Sequence, residues 1–538
     1  KDKLSNEAII GANIVLVGSD LGTSTDIDGN YKIEGLKPGI YNISVSYLGY
    51  ETINQSEIEI QGIRPTIFNF EMVENAKQLD EIVVKASSFK KTAESPVSLR
   101  TIGVSEIKRN PGGNRDISRV IQSLPGVTST ASFRNDLIIR GGAPNENRFF
   151  VDDIEVPVIN HFSTQGSSGG PAGIINVDFI REVDFYSGAF PVSRGNALSS
   201  VFNFKFKDGR DDRIGANLTA GATDIGLTLD GKKKKKSTFL FSARRSYLQF
   251  LFKAIGLPFL PTYTDFNMKY KYKIDNKNEI SFIGLGAIDD FSLNKDANDT
   301  ESKQYILERL PVNTQWNYTN GIVYKHYGSH GYTNFVISRN MLNNKAVKYL
   351  NNDESNPENL VLDYTSQEIE NKLRIENARK HGQWEYLAGV SYEYVKYNNQ
   401  TSNKIYTNAG SENINYTSAL NMHKYGLFGN VSRKLLSERL NVALGFRLDG
   451  NTYSSEMNNL LDQFSPRLSA SYQLSEKLSI NFNTGRYYQL PPFTALGYTA
   501  HGALVNKANK ITYIKANHVV TGVEYNPDAA SRITVEAY

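Results

Sequence analysis

Few groupings in this sequence have the residue types and spacing to carry chemistry. Gly166-Ser167-Ser168-Gly169-Gly170 fits the G-x-S-x-G pattern in which a serine, here Ser168, attacks an acyl carbon. That role needs a strand before the serine and a helix after it, whereas the motif sits among further glycine and Pro171, so a mobile loop is expected. His326 and His330 are four residues apart, but Gly328 and Gly331 mark a turn between strands, where that spacing does not converge on one metal. Asp26-Ile27-Asp28-Gly29 opens like a calcium loop without the closing bidentate carboxylate, and is expected to be a hairpin turn. Gly221 to Gly226 runs into Leu227 where a phosphate loop requires lysine. The run Lys232 to Lys236 is too isolated for a nucleic-acid surface and reads as a solvated turn. With seven histidines and none in a catalytic grouping, the chain is read as a non-enzyme without cofactor or metal.

Backbone chemistry is better represented. Leu79-Asp80-Glu81-Ile82-Val83-Val84-Lys85-Ala86 holds three consecutive β-branched residues, which favour extended backbone, and no turn folds it back on a partner. A strand without a sheet can add to the open sheet edge of another protein; taken alone, it reads equally as a linker. Composition bounds the setting. At 538 residues the chain exceeds one domain. A net charge of +4 implies no nucleic-acid partner. The absence of cysteine excludes disulfides and thiolate metal sites and fits a bacterial envelope protein. No run of eighteen apolar residues could form a transmembrane helix. Transmembrane β-strands remain compatible with 31 Tyr, 27 Phe and a mean hydropathy of -0.41, because they alternate lipid-facing and lumen-facing residues. No signal-peptide pattern opens the sequence, which fits a mature chain or a fragment.

The elements that must position these features fall into four stretches. Residues 1–75 read as a small β-sandwich with strands Ala12 to Val17, Tyr31 to Ile33, Tyr41 to Tyr47 and Ile67 to Met72. Residues 76–91 are a linker around the sheet-edge strand. Residues 92–208 mix helical stretches such as Asp116 to Leu124 with strands and glycine-rich loops, as in a compact α+β domain. From residue 209 to 538 the pattern has period two. In Asn267 to Ile274, Met268, Tyr270 and Tyr272 are expected to face lipid, and Lys269 and Lys271 a watery lumen tolerant of truncation. Short turns at Asp275 to Asn278, Gly328 to Gly331, Lys380 to Gln383 and Ser475 to Lys477 alternate with long polar loops, the rule of outer-membrane barrels with short periplasmic turns. The rule yields about fourteen complete strands and one beginning near Arg532, so the last edge is expected to pair with strands beyond Tyr538.

Several stretches carry a family resemblance. Gly11-Ala12-Asn13-Ile14-Val15-Leu16, Thr25 to Tyr31, Pro38-Gly39-Ile40-Tyr41 and Gly49-Tyr50 resemble a carboxypeptidase-regulatory-like domain, which normally has one more strand before residue 1. Val120 to Val127, Ile138-Ile139-Arg140-Gly141-Gly142, Phe149 to Asp153, Ile180 to Gly188 and Arg194 to Phe204 resemble, in order, the plug of a TonB-dependent outer-membrane receptor, although that family more often has Asp-Gly at Asp152-Asp153. The strand at Leu79 to Ala86 resembles its TonB box. The resemblance implies a mainly β protein with a β-sandwich, a plug and an antiparallel barrel of 22 strands in full. It implies an outer-membrane setting among lipid and lipopolysaccharide, capture of Glu81, Ile82, Val83, Val84 and Lys85 by TonB with ExbB and ExbD, and import of a small solute. In some Bacteroidetes members a surface lipoprotein assists. A plugged barrel that signals or assists secretion without transport is the alternative. Charged plug residues Arg140, Asp152, Asp153, Arg181, Glu182 and Arg194 are expected to lock the plug to the lumen. Asn145, Arg148, Asn160, His161, Phe162 and Gln165 are expected to face solute, the two rings by stacking; the other reading of the Asn160 to Gly170 loop is a buried loop packed on the barrel wall.

Overall fold

The structure is a computed structural model and describes residues 1–60, 62, 65–75, 89, 91–113, 116–129, 134–165, 169–234, 236–407, 410–528 and 531–538. The sheet-edge strand Glu81 to Lys85 and the motif serine Ser168 lie outside the described residues.

In the N-terminal domain four strands, in the order Gly22–Ser24, Asn13–Leu16, Gly39–Ser46 and Ile53–Ile60, form one antiparallel sheet. Period two works as expected: Ile14 and Leu16 are buried while Asn13 and Val15 are exposed. The second layer is not a sheet. Residues 31–33 and 67–71 are extended but unladdered, and their apolar content covers the first sheet instead, with Tyr31, Phe68 and Phe70 packed ring to ring over Ile43 and Val45. The strand Ile53–Ile60 was not anticipated. At the supposed calcium loop, Asp26 accepts hydrogen bonds from the amides of Asp28 at 2.9 Å and Asn30 at 2.8 Å, so its carboxylate closes a turn through Gly29.

The second domain holds a mixed five-stranded sheet in the order Leu99–Gly103, Ile180–Tyr186, Ser200–Phe206, Asn147–Val151 and Ile154–Glu155. Only the Ser200–Phe206 and Asn147–Val151 pair is parallel. The helix Ile117–Gln122 falls inside the expected helical stretch; Asp116 caps it by accepting from the Ser118 amide, and it buries Val120 and Ile121. The core of this domain continues into inward residues Leu240, Ile283, Leu285 and Val336 of the third, so plug and barrel share one apolar cluster.

The third domain is a 15-stranded antiparallel meander running from Gly215–Ala220 to Ile533–Ala537. Its strands number as the turn alternation anticipates, and all four anticipated short turns join neighbouring strands. In Phe259–Lys273 the residues Asp265, Asn267 and Lys269 are buried against the plug, while Phe266 is exposed on the outer face and Tyr270 is only partly covered. The lumen is therefore occupied by protein, not open water. The N-terminal domain lies at the short-turn end, where the Asn6 side chain donates to the Asn276 carbonyl at 2.7 Å and Glu51 pairs with Lys434.

Candidate functional site

The site is built around a plug hairpin. Asp152 and Asp153 connect Asn147–Val151 to Ile154–Glu155 with φ of 43° and 74°, as a two-residue turn of the I′ kind requires. Asp-Asp thus does the work of the more usual Asp-Gly. The turn aims both carboxylates at the barrel: Asp152 lies 3.0 Å from Lys269, which also reaches Asp208 at 3.1 Å. Asp153 pairs with Arg194 from the plug and lies 3.6 Å from Arg374 of the barrel strand Leu360–His381. Burial alone would push the Asp153 carboxyl up, but Arg194 and Arg374 outweigh it and hold it below the usual carboxylate range. Just beyond the hairpin, Glu155 is bound by Lys372 at 2.7 Å and approached by Arg148 at 3.7 Å.

The other expected lock residues divide. Arg140 bridges plug to barrel, donating to Ser98 at 2.9 Å and to Glu536 of the last strand at 2.8 Å. Arg194 acts through Asp153 and lies over the Phe150 ring at 4.5 Å. Glu182 binds Lys205 at 2.7 Å, its cross-strand neighbour, and Arg181 lies 3.8 Å from Glu182 and in the field of Asp208, the carboxylate that Lys269 and Lys271 hold. Both sit in an inner strand of the plug sheet.

The expected solute-facing residues divide too. His161 is fully buried, with Nδ1 2.6 Å from Asp289 and Nε2 3.1 Å from Asp265, both on barrel strands. Its ring face is taken by Tyr263 at 4.1 Å. Burial opposes its charge, but Asp289 and Asp265 outweigh burial and raise its pKa to about 9. Phe162 packs edge-on against Phe291 and its amide donates to Asp289 at 2.8 Å; Asn160 is buried in a short ladder with Gly173. Gln165 accepts from Ser366 at 2.7 Å and from Tyr364. Stacking of solute on His161 is thereby corrected, because its ring is spent on the barrel wall near its long-loop end; Phe162 is half-buried beside it.

Asn145 and Arg148 have a different position. With Pro144, Pro157 and Val158 they line a cavity of about 1000 Å³ counted to its open mouth, walled by Asn317, Asn340, Leu342, Glu368, Glu370 and the loop from Gln489 to Phe493. These barrel residues lie in the long-loop halves of their strands. A second cavity runs beside the hairpin and is lined by Asp153, Glu155, Lys372, Arg374, Glu393, Lys424, Arg447 and Asp449.

Sequence reasoning missed the barrel half of these contacts. The signal was available in Glu368, Glu370, Lys372, Arg374 and Glu376, which put charge at every second position of one strand, on a face that period two assigns to the lumen.

Comparisons with known proteins follow the same division. Residues 1–84 match the CarboxypepD_reg-like domain, residues 91–201 the TonB-dependent Receptor Plug Domain, and residues 241–538 the TonB dependent receptor-like, beta-barrel. A curated relative, the TonB-dependent transporter Oar of Myxococcus xanthus, is 27% identical over 223 residues, covering 39% of this chain and 19% of that protein. The chain thus matches about a fifth of that relative's length. Among solved structures, a mutant ferric enterobactin receptor PfeA from Pseudomonas aeruginosa superposes with a TM-score of 0.62 at 15% identity over 82% of this chain and 71% of that one. The siderophore receptor PirA from Acinetobacter baumannii gives 0.60 at 13% identity over 82% and 70%, and the copper transporter OprC 0.60 at 14% over 80% and 71%. At these identities the likeness speaks to the fold.

Proposed function

Because the chain belongs to the TonB-dependent receptors of the outer membrane, we propose that it binds a small solute at the cell surface and passes it to the periplasm with energy transduced by TonB. The observation that carries this reading is the cavity between plug and barrel, at the long-loop end, above an ion-paired hairpin that blocks the lumen. Asn145 and Arg148 contact the solute from the plug side. TonB, driven by ExbB and ExbD, takes Glu81, Ile82, Val83, Val84 and Lys85 as an added strand. The pull reaches the plug through residue 91 and shears the hairpin from Lys269 and Arg374. Those groups can exchange partners with water as they part, because the adjoining cavity is lined by charge of both signs. No bond in the solute is broken. A surface lipoprotein that closes over the long loops is compatible with the N-terminal module, and the outer strand faces contact lipid and lipopolysaccharide.

The test is uptake of whichever compound co-purifies with the chain, identified by mass spectrometry, in cells with and without TonB. Uptake that requires TonB supports the reading. Binding without uptake in either strain would assign the plugged barrel to signalling or secretion instead, and equal uptake in both would remove the TonB coupling.

A further inference from the structure

Resting on the cavity as the solute site, we propose that the solute presents an organic cation, an ammonium or guanidinium on an apolar body, to Glu368. The argument begins with charge. Two cations serve the carboxylates of this wall: Arg148 is 3.7 Å from Glu155, and Lys372 is 2.7 Å from Glu155 and 2.8 Å from Glu370. Glu368 lines the same cavity and, among the described residues, has no hydrogen bond or ion pair. Its cross-strand neighbours are Leu342 and Tyr397, both buried, and Glu370 two residues on repels its charge; the one opposing charge acting on it is Arg148 from the plug, which lies toward Glu155 and within ion-pair reach of Glu155 alone among the described residues. A carboxylate drawn from water without a partner is costly, and an incoming cation removes that cost.

The wall carries a second, independent indication. Asn340 is 3% exposed and its amide nitrogen donates to Glu370 at 3.1 Å, which fixes its orientation and leaves Oδ1 without a partner. Gln489 is 1% exposed, its nitrogen donates to the Asn145 carbonyl at 2.6 Å, and its Oε1 is likewise unpartnered. Asn317 has an unpartnered amide nitrogen. The two oriented free ends are acceptors, which suits a group such as ammonium that has three donors and no acceptor. Apolar wall from Pro157, Val158 and Leu342 and from Leu490 to Phe493 takes the body of such a ligand. A bare metal ion fits poorly, because among the described residues no group of three histidine or acidic side chains could hold one.

The experiment titrates the purified full chain in detergent with dansylcadaverine, a fluorescent primary ammonium on an apolar ring, against neutral dansylamide, with hexylammonium as competitor. The unmodified chain is expected to bind the ammonium about tenfold or more tightly than the amide, as for a hydrogen bond to a charged group. Glu368→Gln should remove that preference while leaving the amide's affinity unchanged. Equal affinity for both probes in the unmodified chain, with both displaced by Leu342→Arg, would overturn the charge assignment but keep the cavity as a solute site. Binding of neither probe would overturn the cavity reading as well. The comparison on the unmodified chain needs no variant to fold.

Discussion

His161→Gln should release the plug loop from the barrel wall. The imidazole stands between Asp289 and Asp265, with Tyr263 over its face and Arg244 2.8 Å from Asp265 as the other facing charge. Its pKa moves from 6.5 to about 9, which corresponds to about 3 kcal/mol in favour of the charged form in place. Glutamine keeps a donor but no charge, so it cannot neutralise the two carboxylates; among the described residues Asp289 keeps the Phe162 amide and no cation, while Asp265 keeps Arg244. A loss of about 3 kcal/mol raises the open population of the loop about a hundredfold. Hydrogen exchange read by mass spectrometry should show this at Phe162 and Ser163, whose amides donate to Asp289 and Gln315, and not in the Ser200–Phe206 strand. Because the folded pKa lies above the ordinary one, the stabilisation is complete below about pH 6.5 and fades as pH rises through about 9. After correction for intrinsic exchange rates, protection of the loop should therefore fall between pH 7 and pH 10 in the unmodified chain and stay flat in the variant. Unchanged protection in His161→Gln, or protection that rises with pH, would refute the clasp.

Three further outcomes follow from other parts of the molecule. Val83→Pro removes a donor from any ladder with TonB and should abolish uptake while leaving the heat-stable barrel band on gels intact; normal uptake would remove the TonB-box assignment. Tyr270→Arg, on the lipid side, should cost about 2–4 kcal/mol in barrel stability if it lies near mid-membrane. Lys271→Ala should cost about 1–3 kcal/mol, because Lys271 lies between Asp208 at 3.6 Å and Glu279 at 3.4 Å and not in water; denaturant titration in lipid vesicles reads both. Gly321→Ala would set a methyl 2.4 Å from Cδ1 of the fully buried Ile154 at the hairpin, so the melting temperature should fall by an amount equivalent to about 1–3 kcal/mol.

Which parts were legible follows from the range of the forces involved. Strand periodicity and turns are local, so the faces of Phe259–Lys273 and the four short turns could be read from residue order. The pairing of Asp152 with Lys269 could not, since nothing local links positions more than a hundred residues apart. His161 was misread for a related reason: a ring beside glycines suits a ligand surface and a packed wall equally, and only the position of Asp265 and Asp289 decides between them. Arg181 and Glu182 were expected in the lock because they are charged; that an inner strand of the plug sheet carries them, with Lys205 across from Glu182, was not encoded nearby.

The docking of the N-terminal domain has a mechanical consequence. Its contacts include Glu51 with Lys434, Asn6 with the turn at Asn276, the Glu74 carbonyl with Lys380, Glu59 and Glu57 with Lys108 and Arg109 on the plug helix Val104–Arg109, and Lys1 over the buried Tyr327 ring at 5.5 Å, with Glu71 in the field of Lys271 and Lys325. The partly exposed ion pairs among them are worth about 1 kcal/mol or less apiece and weaken in salt. On the proposed reading, tension applied between residues 75 and 91 would divide between two arms in parallel, one ending in these contacts and the other in the buried carboxylates of the hairpin. Raised ionic strength should weaken the partly exposed pairs of the first arm and shift load onto the hairpin.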